Sequence, residues 1–326
     1  MQYRTAAIQD VLSGFPNVQL SITPTPICRL SRLSSHLGVN IYIMREDLTG
    51  FTIGGNKVRK LDYLIGDAIE KKANTLITMK ASSFSRNAAA AGKAFGFEVH
   101  VLLVGDESEQ NGASQALFKQ VDAILHYVKK NSENQLTATY QDVITELQNQ
   151  GKTVYELHPG GSDTIGSLGY INAFDQIVHY SKTSGIHFHK MIHSAGSTAT
   201  QAGLVLGQCI SGYDTTVIGM SAARDADPQH KLTCELATAT ANMLGIQFDE
   251  SKIVVDDRFI GPGYAIPSQE GEKAAKIFAA MEGVLLDHVY TGKAAAALLE
   301  YASHQRFDKS ENILFIHTGG SSGLFY

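Results

Sequence analysis

The segment Thr75-Leu76-Ile77-Thr78-Met79, the Ala-rich run 87–95 and the segment 99–104 (Val-His-Val-Leu-Leu-Val) set the architecture. The outer two are short and apolar, as strands covered on both faces are. The run between them is helical in composition and ends at Gly96, a residue suited to a left-handed C-cap. Strand, helix and strand within about 30 residues make a βαβ unit with parallel strands.

The pattern continues in both directions. Residues 41–44 read as a strand. Residues 60–71 place Leu61, Leu64, Ile65, Ala68 and Ile69 at helical spacing. Further strands are predicted at 123–128, 154–157, 190–193, 216–220, 253–255 and 313–316. Further helices are predicted at 136–147, 200–209, 230–244, 270–281 and 292–301. The sequence therefore predicts an α/β fold with two doubly wound, mostly parallel sheets. Ligands of such folds sit beyond the carboxyl ends of strands or between domains.

The 326 residues suffice for about two domains of ordinary size. With 44% hydrophobic and 18% charged residues, the composition excludes disorder as the main state. A balance of 27 Lys and Arg against 32 Asp and Glu gives a net charge of −5, which speaks against nucleic acid or an anionic membrane as partner. Gly is frequent (30) and Pro rare (7), which favours tight turns and close backbone approach over flexible linkers.

Cys28, Cys209 and Cys234 form neither a disulfide framework nor a zinc motif. No signal-peptide pattern opens the chain, and no run approaches the roughly 18 apolar residues of a transmembrane helix. A cytoplasmic protein is expected. The stretch Lys129-Lys130-Asn131-Ser132-Glu133 reads as a solvated turn.

Five segments carry chemistry. The first is Gly54-Gly55-Asn56-Lys57-Val58-Arg59-Lys60. A Lys at a Gly-rich helix start is disfavoured by the dipole, so its free amine is more available, as a Schiff-base Lys requires. A solvated basic turn fits the same residues. The second, from His193 to Gly203, includes Gly196-Ser197-Thr198-Ala199-Thr200 after a strand. Its backbone N–H groups suit a phosphate, although a plain capped helix start reads equally well. The third, 259–267, displays Tyr264 between Gly and Pro residues. The fourth, 282–293, carries Tyr290, and the fifth is His317-Thr318-Gly319-Gly320. Each of these last three fits an ordinary turn or packing residue when taken alone.

Together the five resemble one family: the fold-type II, tryptophan synthase β-like enzymes that use pyridoxal 5′-phosphate (PLP). The branch is that of D-cysteine desulfhydrase and 1-aminocyclopropane-1-carboxylate deaminase. The resemblance also takes in Thr23-Pro24-Thr25-Pro26, Arg45-Glu46-Asp47, Gly160-Gly161-Ser162 and Leu168-Gly169-Tyr170, and so spans nearly the whole chain. It implies a large PLP-binding domain from 1–50 plus 160–326, a small substrate-side domain at 51–159, and a homodimer.

The resemblance also assigns roles. Lys57 would bind PLP covalently, with Lys60 near the phosphate. Gly196, Ser197, Thr198, Ala199 and Thr200 would form the phosphate cradle. Thr318 would face the pyridine nitrogen. Tyr264 and Tyr290 would stand over the substrate, and Ser82 beside its carboxylate. The deaminase branch has an acidic residue where this chain has Thr291, and a Leu where it has Thr318. Both positions resemble the desulfhydrase branch. A hydroxyl at the ring nitrogen gives a weaker electron sink, adequate for expelling a good leaving group.

One stretch departs from the family, which reads Gln-Ser-Asn-His where this chain has Ala81-Ser82-Ser83-Phe84. Ser83 replaces the Asn that would bond the cofactor's phenolic oxygen, and Phe84 replaces the His. An apolar ring in the pocket is expected to weaken D-cysteine turnover.

The expected activity is a PLP-dependent lyase acting on a small amino acid with a β-leaving group, with pyruvate, ammonia and sulfide as products from D-cysteine. Alternatives are another substrate or a β-replacement in the same family, then the cyclopropane deaminase. A non-catalytic PLP-binding relic is the reading of a different class. His187, His189 and His193 alternate as surface and core residues do, and no metal is expected.

Overall fold

The protein was analysed as a computed structural model, which describes residues 8–105, 112–128, 133–320 and 323–324. Residues 1–7, and 129–132 of the predicted solvated turn, lie outside the described residues.

In chain order the first elements are α1 (Ile8–Leu12), β1 (Ile27–Arg29), α2 (Ser31–Leu37), β2 (Asn40–Arg45), α3 (Lys57–Glu70) and β3 (Thr75–Met79). Then come α4 (Ser83–Ala94), β4 (Glu98–Val104), α5 (Ala113–Gln120), β5 (Ile124–Val128), α6 (Glu133–Asn149), β6 (Val154–Glu156) and α7 (Thr164–Ser184). The chain continues through β7 (Lys190–Ala195), α8 (Ala199–Ser211), β8 (Thr216–Ser221), α9 (Ala226–Leu244) and β9 (Val254–Asp256). It ends with α10 (Gln269–Glu282), α11 (Thr291–Ser303) and β10 (Asn312–His317).

Two sheets result. One has six strands in the order β1-β2-β10-β7-β8-β9, and the other has four in the order β5-β4-β3-β6. Every pairing is parallel except β1 with β2. Alternating side chains on β10 explain why both faces are covered. Leu314 and Ile316 pack with α7, α8 and α9, while Ile313 and Phe315 pack with α10 and α11. The smaller sheet buries Leu76, Val99 and Val101 against α3 and α4, and Ile77 and Leu102 against α6. This is the α/β architecture with two mostly parallel sheets that the βαβ pattern predicts.

Several elements differ from the expectation, and the short α1, β1, α2 and α5 have no counterpart in it. The Ala-rich helix starts at Ser83 rather than 87, because Ser82 and Ser85 form a reciprocal capping box. The 21-residue α7 was not predicted. Gly166 and Gly169 inside it each permit a close approach. A Cβ at Gly169 would lie 2.3 Å from the Arg59 carbonyl oxygen. No described helix is long and apolar enough to cross a membrane.

Candidate active site

The first four chemical segments converge with the C-terminal one at strand carboxyl ends. Residues 196–198 follow β7, Thr318 follows β10, and 80–82 follow β3. The Gly54-Gly55 turn, with φ of 65° and 91°, brings α3 against the end of β10. A Cβ at Gly319 would lie 2.7 Å from the Gly55 Cα, so only Gly fits there. The Asn56 N–H donates to the Thr318 carbonyl at 2.9 Å, and the Asn56 amide donates to Thr200 Oγ1 at 3.0 Å. Asn56 thus ties three of the segments together, a role no sequence pattern had given it.

Lys57 is the first residue of α3, and its Nζ donates to Ser197 Oγ at 2.6 Å. Lys60, one turn on and fully buried, donates to the Gly160 carbonyl at 3.0 Å and to the same Ser197 Oγ at 3.2 Å. Burial lowers the Lys57 pKa to about 8. Burial, and then Lys57 itself, push Lys60 well below the usual range. Helix α8 begins just behind Ser197, with no side-chain cap at Thr198. Its first N–H groups are therefore left uncapped next to Ser197, the residue both lysines reach.

Arg59, between the lysines, anchors α3. Its guanidinium bonds Glu46 at 2.5 and 2.7 Å, and Tyr170 donates to the same carboxylate at 3.0 Å. Arg59 and Glu46 are at most 1% exposed. Removing one partner would strand a buried charge, so the pair holds the helix start in place. Asn87 of α4 does the same for the turn before it. It accepts from Thr52 Oγ1 and donates to the Gly54 carbonyl at 3.1 Å.

Tyr290 lies against the 196–200 run. Its ring would be 3.1 Å from a Cβ at Gly196. Its hydroxyl shares a 2.6 Å hydrogen bond with that of the exposed Tyr264. Burial and then this bond raise the Tyr290 pKa above the ordinary phenol value, so it is a neutral hydroxyl. Asp287 fixes Tyr290 by accepting from the N–H groups of Val289, Tyr290 and Thr291. Arg224 donates to the Gly196 carbonyl at 2.8 Å. Nothing in the sequence distinguishes Arg224 from other surface arginines.

Ser82 and Ser83 are half-buried at the start of α4. The expectation for Phe84 is corrected. It is 1% exposed, packed with Leu61, Leu64 and Ala88, and its ring edge meets Gly161. Its ring is enclosed among apolar side chains, unlike the half-buried Ser82 and Ser83 beside it. It is a core residue, and the first turn of α4 carries it inward. Of the three histidines, His193 is fully buried, while His187 packs edge-on against His189.

A model of the pyridoxal-phosphate dependent enzymes matches residues 18–319. A Pyrococcus furiosus protein provisionally named 1-aminocyclopropane-1-carboxylate deaminase is 36% identical, covering 98% of this chain and 96% of its own length. A Yersinia pestis D-cysteine desulfhydrase is also 36% identical, over 98% of both chains. The crystal structure of an ACC deaminase homologue superposes with a TM-score of 0.89 at 33% identity, covering 98% of this chain and 96% of that one. A threonine deaminase from Solanum lycopersicum, at 17% identity and a TM-score of 0.67, shares the fold. With this match over nearly its whole length, the chain belongs to the family of pyridoxal-phosphate dependent enzymes.

Proposed function

We propose that the protein is a PLP-dependent lyase that converts D-cysteine and water to pyruvate, ammonia and sulfide. The observation carrying this reading is the pair of buried amines on Ser197. No carboxylate hydrogen-bonds either lysine among the described residues. An uncapped helix start suits an anion and a free amine beside it suits an aldehyde, and PLP carries both a phosphate and an aldehyde. Ser194 Oγ, buried and unpartnered two residues before Gly196, offers a further polar contact. The residues present therefore fit the cofactor. Once bound, PLP supplies an electron sink for the pair released when the Cα–H bond breaks.

The chain's own residues do the rest. Ser197, Thr198, Ala199 and Thr200, with Gly196, hold the phosphate through the α8 start. Lys60 supports that cradle from behind, through Ser197. Lys57 attaches the cofactor. Burial lowers its pKa to about 8, which favours the free amine that would take the Cα proton. Ser82 and the N–H groups opening α4 receive the substrate carboxylate. Tyr290, kept neutral, and Tyr264 donate to the departing sulfur. Thr318 would face the ring nitrogen, and Ser83 would lie on the side of the phenolic oxygen. Residues 51–159 act as the substrate-side domain and contribute Lys57 and Lys60, while 1–50 plus 160–326 form the cofactor-binding domain with the phosphate cradle.

The D-cysteine preference rests on the desulfhydrase relatives and on Thr291 and Thr318. The deaminase relatives make 1-aminocyclopropane-1-carboxylate the second substrate to assay. Protein loaded with PLP, given a panel of D- and L-amino acids, should release pyruvate and sulfide fastest from D-cysteine. Release from no member of the panel would leave a PLP-binding relic. We further propose a cytoplasmic homodimer. Light scattering should give twice the 35.2 kDa chain mass.

A further inference from the structure

Lys293 is 1% exposed, one turn into α11. A buried ammonium costs free energy unless hydrogen bonds or charges compensate it. Among the described residues Lys293 has one hydrogen-bond acceptor, the Gly263 carbonyl at 2.8 Å. Asp287 acts on it only through space.

Gly263 directly precedes Tyr264, in a turn that is costly to hold. Gly261, Gly263 and Ala265 have φ of 68°, 147° and 61°. The positive φ at Ala265 is uncommon for a residue with a Cβ and has to be held by its surroundings. The Tyr264 side chain is 56% exposed, so its own packing does little to fix it. Tyr290 caps the same helix three residues before Lys293. One turn of α11 therefore holds both tyrosines, Tyr290 directly and Tyr264 through the Lys293–Gly263 bond.

We propose that Lys293 is a positioning residue that tethers the 261–265 turn and so keeps the Tyr264 hydroxyl on that of Tyr290 over the cofactor. The proposal rests on the reading of both tyrosines as substrate-facing. Its test therefore has one arm that needs no turnover.

Chymotrypsin cleaves after Tyr or Phe, and mobile exposed turns are cut faster than held ones. Loss of one hydrogen bond is worth about tenfold, so Lys293→Met should be nicked after residue 264 about ten times faster than wild type. Lys293→Gln, which keeps a neutral donor, should fall between. Tyr264→Phe keeps the tether and should be nicked at the wild-type rate. In turnover, Lys293→Met should lower kcat with PLP occupancy unchanged. Adding Lys293→Met to Tyr264→Phe should then cost little beyond Tyr264→Phe alone, because both act on one group.

An unchanged nicking rate in folded Lys293→Met, or independent multiplication of the two turnover losses, overturns the tether. If Lys293→Met does not fold, the Gln and Phe arms decide. Rapid nicking of Tyr264→Phe would show that the hydroxyl pair holds the turn, and that overturns it as well. If Tyr264→Phe turns over at the wild-type rate, the substrate-facing reading fails, while the nicking rates still decide the tether.

Discussion

Lys57 donates a 2.6 Å hydrogen bond to Ser197 Oγ, the oxygen that Lys60 also reaches at 3.2 Å. A single hydroxyl thus joins the Lys57 amine, the buried second amine and the opening of α8. Ser197→Ala removes an acceptor shared by two amines. A hydrogen bond to a charged group is worth roughly 1.5–3 kcal/mol, so PLP affinity should fall at least about tenfold. Titration of the apoprotein followed by cofactor absorbance measures this. An unchanged Kd would place the phosphate away from Ser197.

The lowered pKa of Lys57 predicts when the site captures its cofactor. Only the unprotonated amine attacks the aldehyde, so capture should accelerate as pH rises through about 8 and level off above it. An unshifted lysine would keep accelerating to about 10.4. Stopped-flow mixing with PLP gives the profile. Borohydride reduction and peptide mapping should place the pyridoxyl mass on Lys57. A label on Lys60 or Lys293 contradicts the assignment.

The strands and α3 were legible because each concentrates apolar residues at its own period. Leu61, Leu64, Ile65 and Ala68 all reach the core of the smaller sheet. Helix α7 was not, because it is packed against α3 and α8 on different sides and carries apolar residues on both. Its Gly169 serves the approach to α3, and its Gly166 the approach to the Gly161 carbonyl before the helix. At the site, local motifs marked Lys57, the 196–200 run and Tyr290. The ties between segments were hidden. The Asn56–Thr200 bond spans 144 positions and the Lys293–Gly263 bond 30, and no local pattern encodes either.

Tyr264→Phe and Tyr290→Phe separate chemistry from packing. Both keep the ring and lose the shared hydroxyl bond. Loss of a general acid or base typically costs about 10²–10⁴-fold, and each variant should lose turnover in that range while binding PLP normally. Because the Tyr290 pKa is raised, its hydroxyl remains protonated through neutral and mildly alkaline pH. An alkaline fall in kcat between pH 7 and 9 should therefore persist unchanged in Tyr290→Phe. Wild-type turnover in both variants would reduce the pair to a packing contact.

The first turn of α4 gives the last prediction, by dividing the departure from the family into two parts. Ser82 and Ser83 are half-buried and Ala81 is exposed, whereas Phe84 is sealed between Leu61, Leu64 and Gly161. Substitution at 81 or 83 reaches solvent, and hence any ligand. Substitution at 84 reaches the core. Phe84→His swaps a buried apolar ring for an imidazole with no partner in view, which should destabilise the fold by about 2–4 kcal/mol. It should leave relative rates across an amino-acid panel unchanged in the folded fraction. Ser83→Asn should do the reverse, holding the thermal midpoint within about 2 °C and changing the ratio of D-cysteine to other substrates. Differential scanning fluorimetry and pyruvate release on the two single variants check both halves. If Phe84→His keeps the wild-type midpoint and raises D-cysteine turnover, the ring faces the substrate after all, and the division of this turn into a ligand side and a core side is wrong.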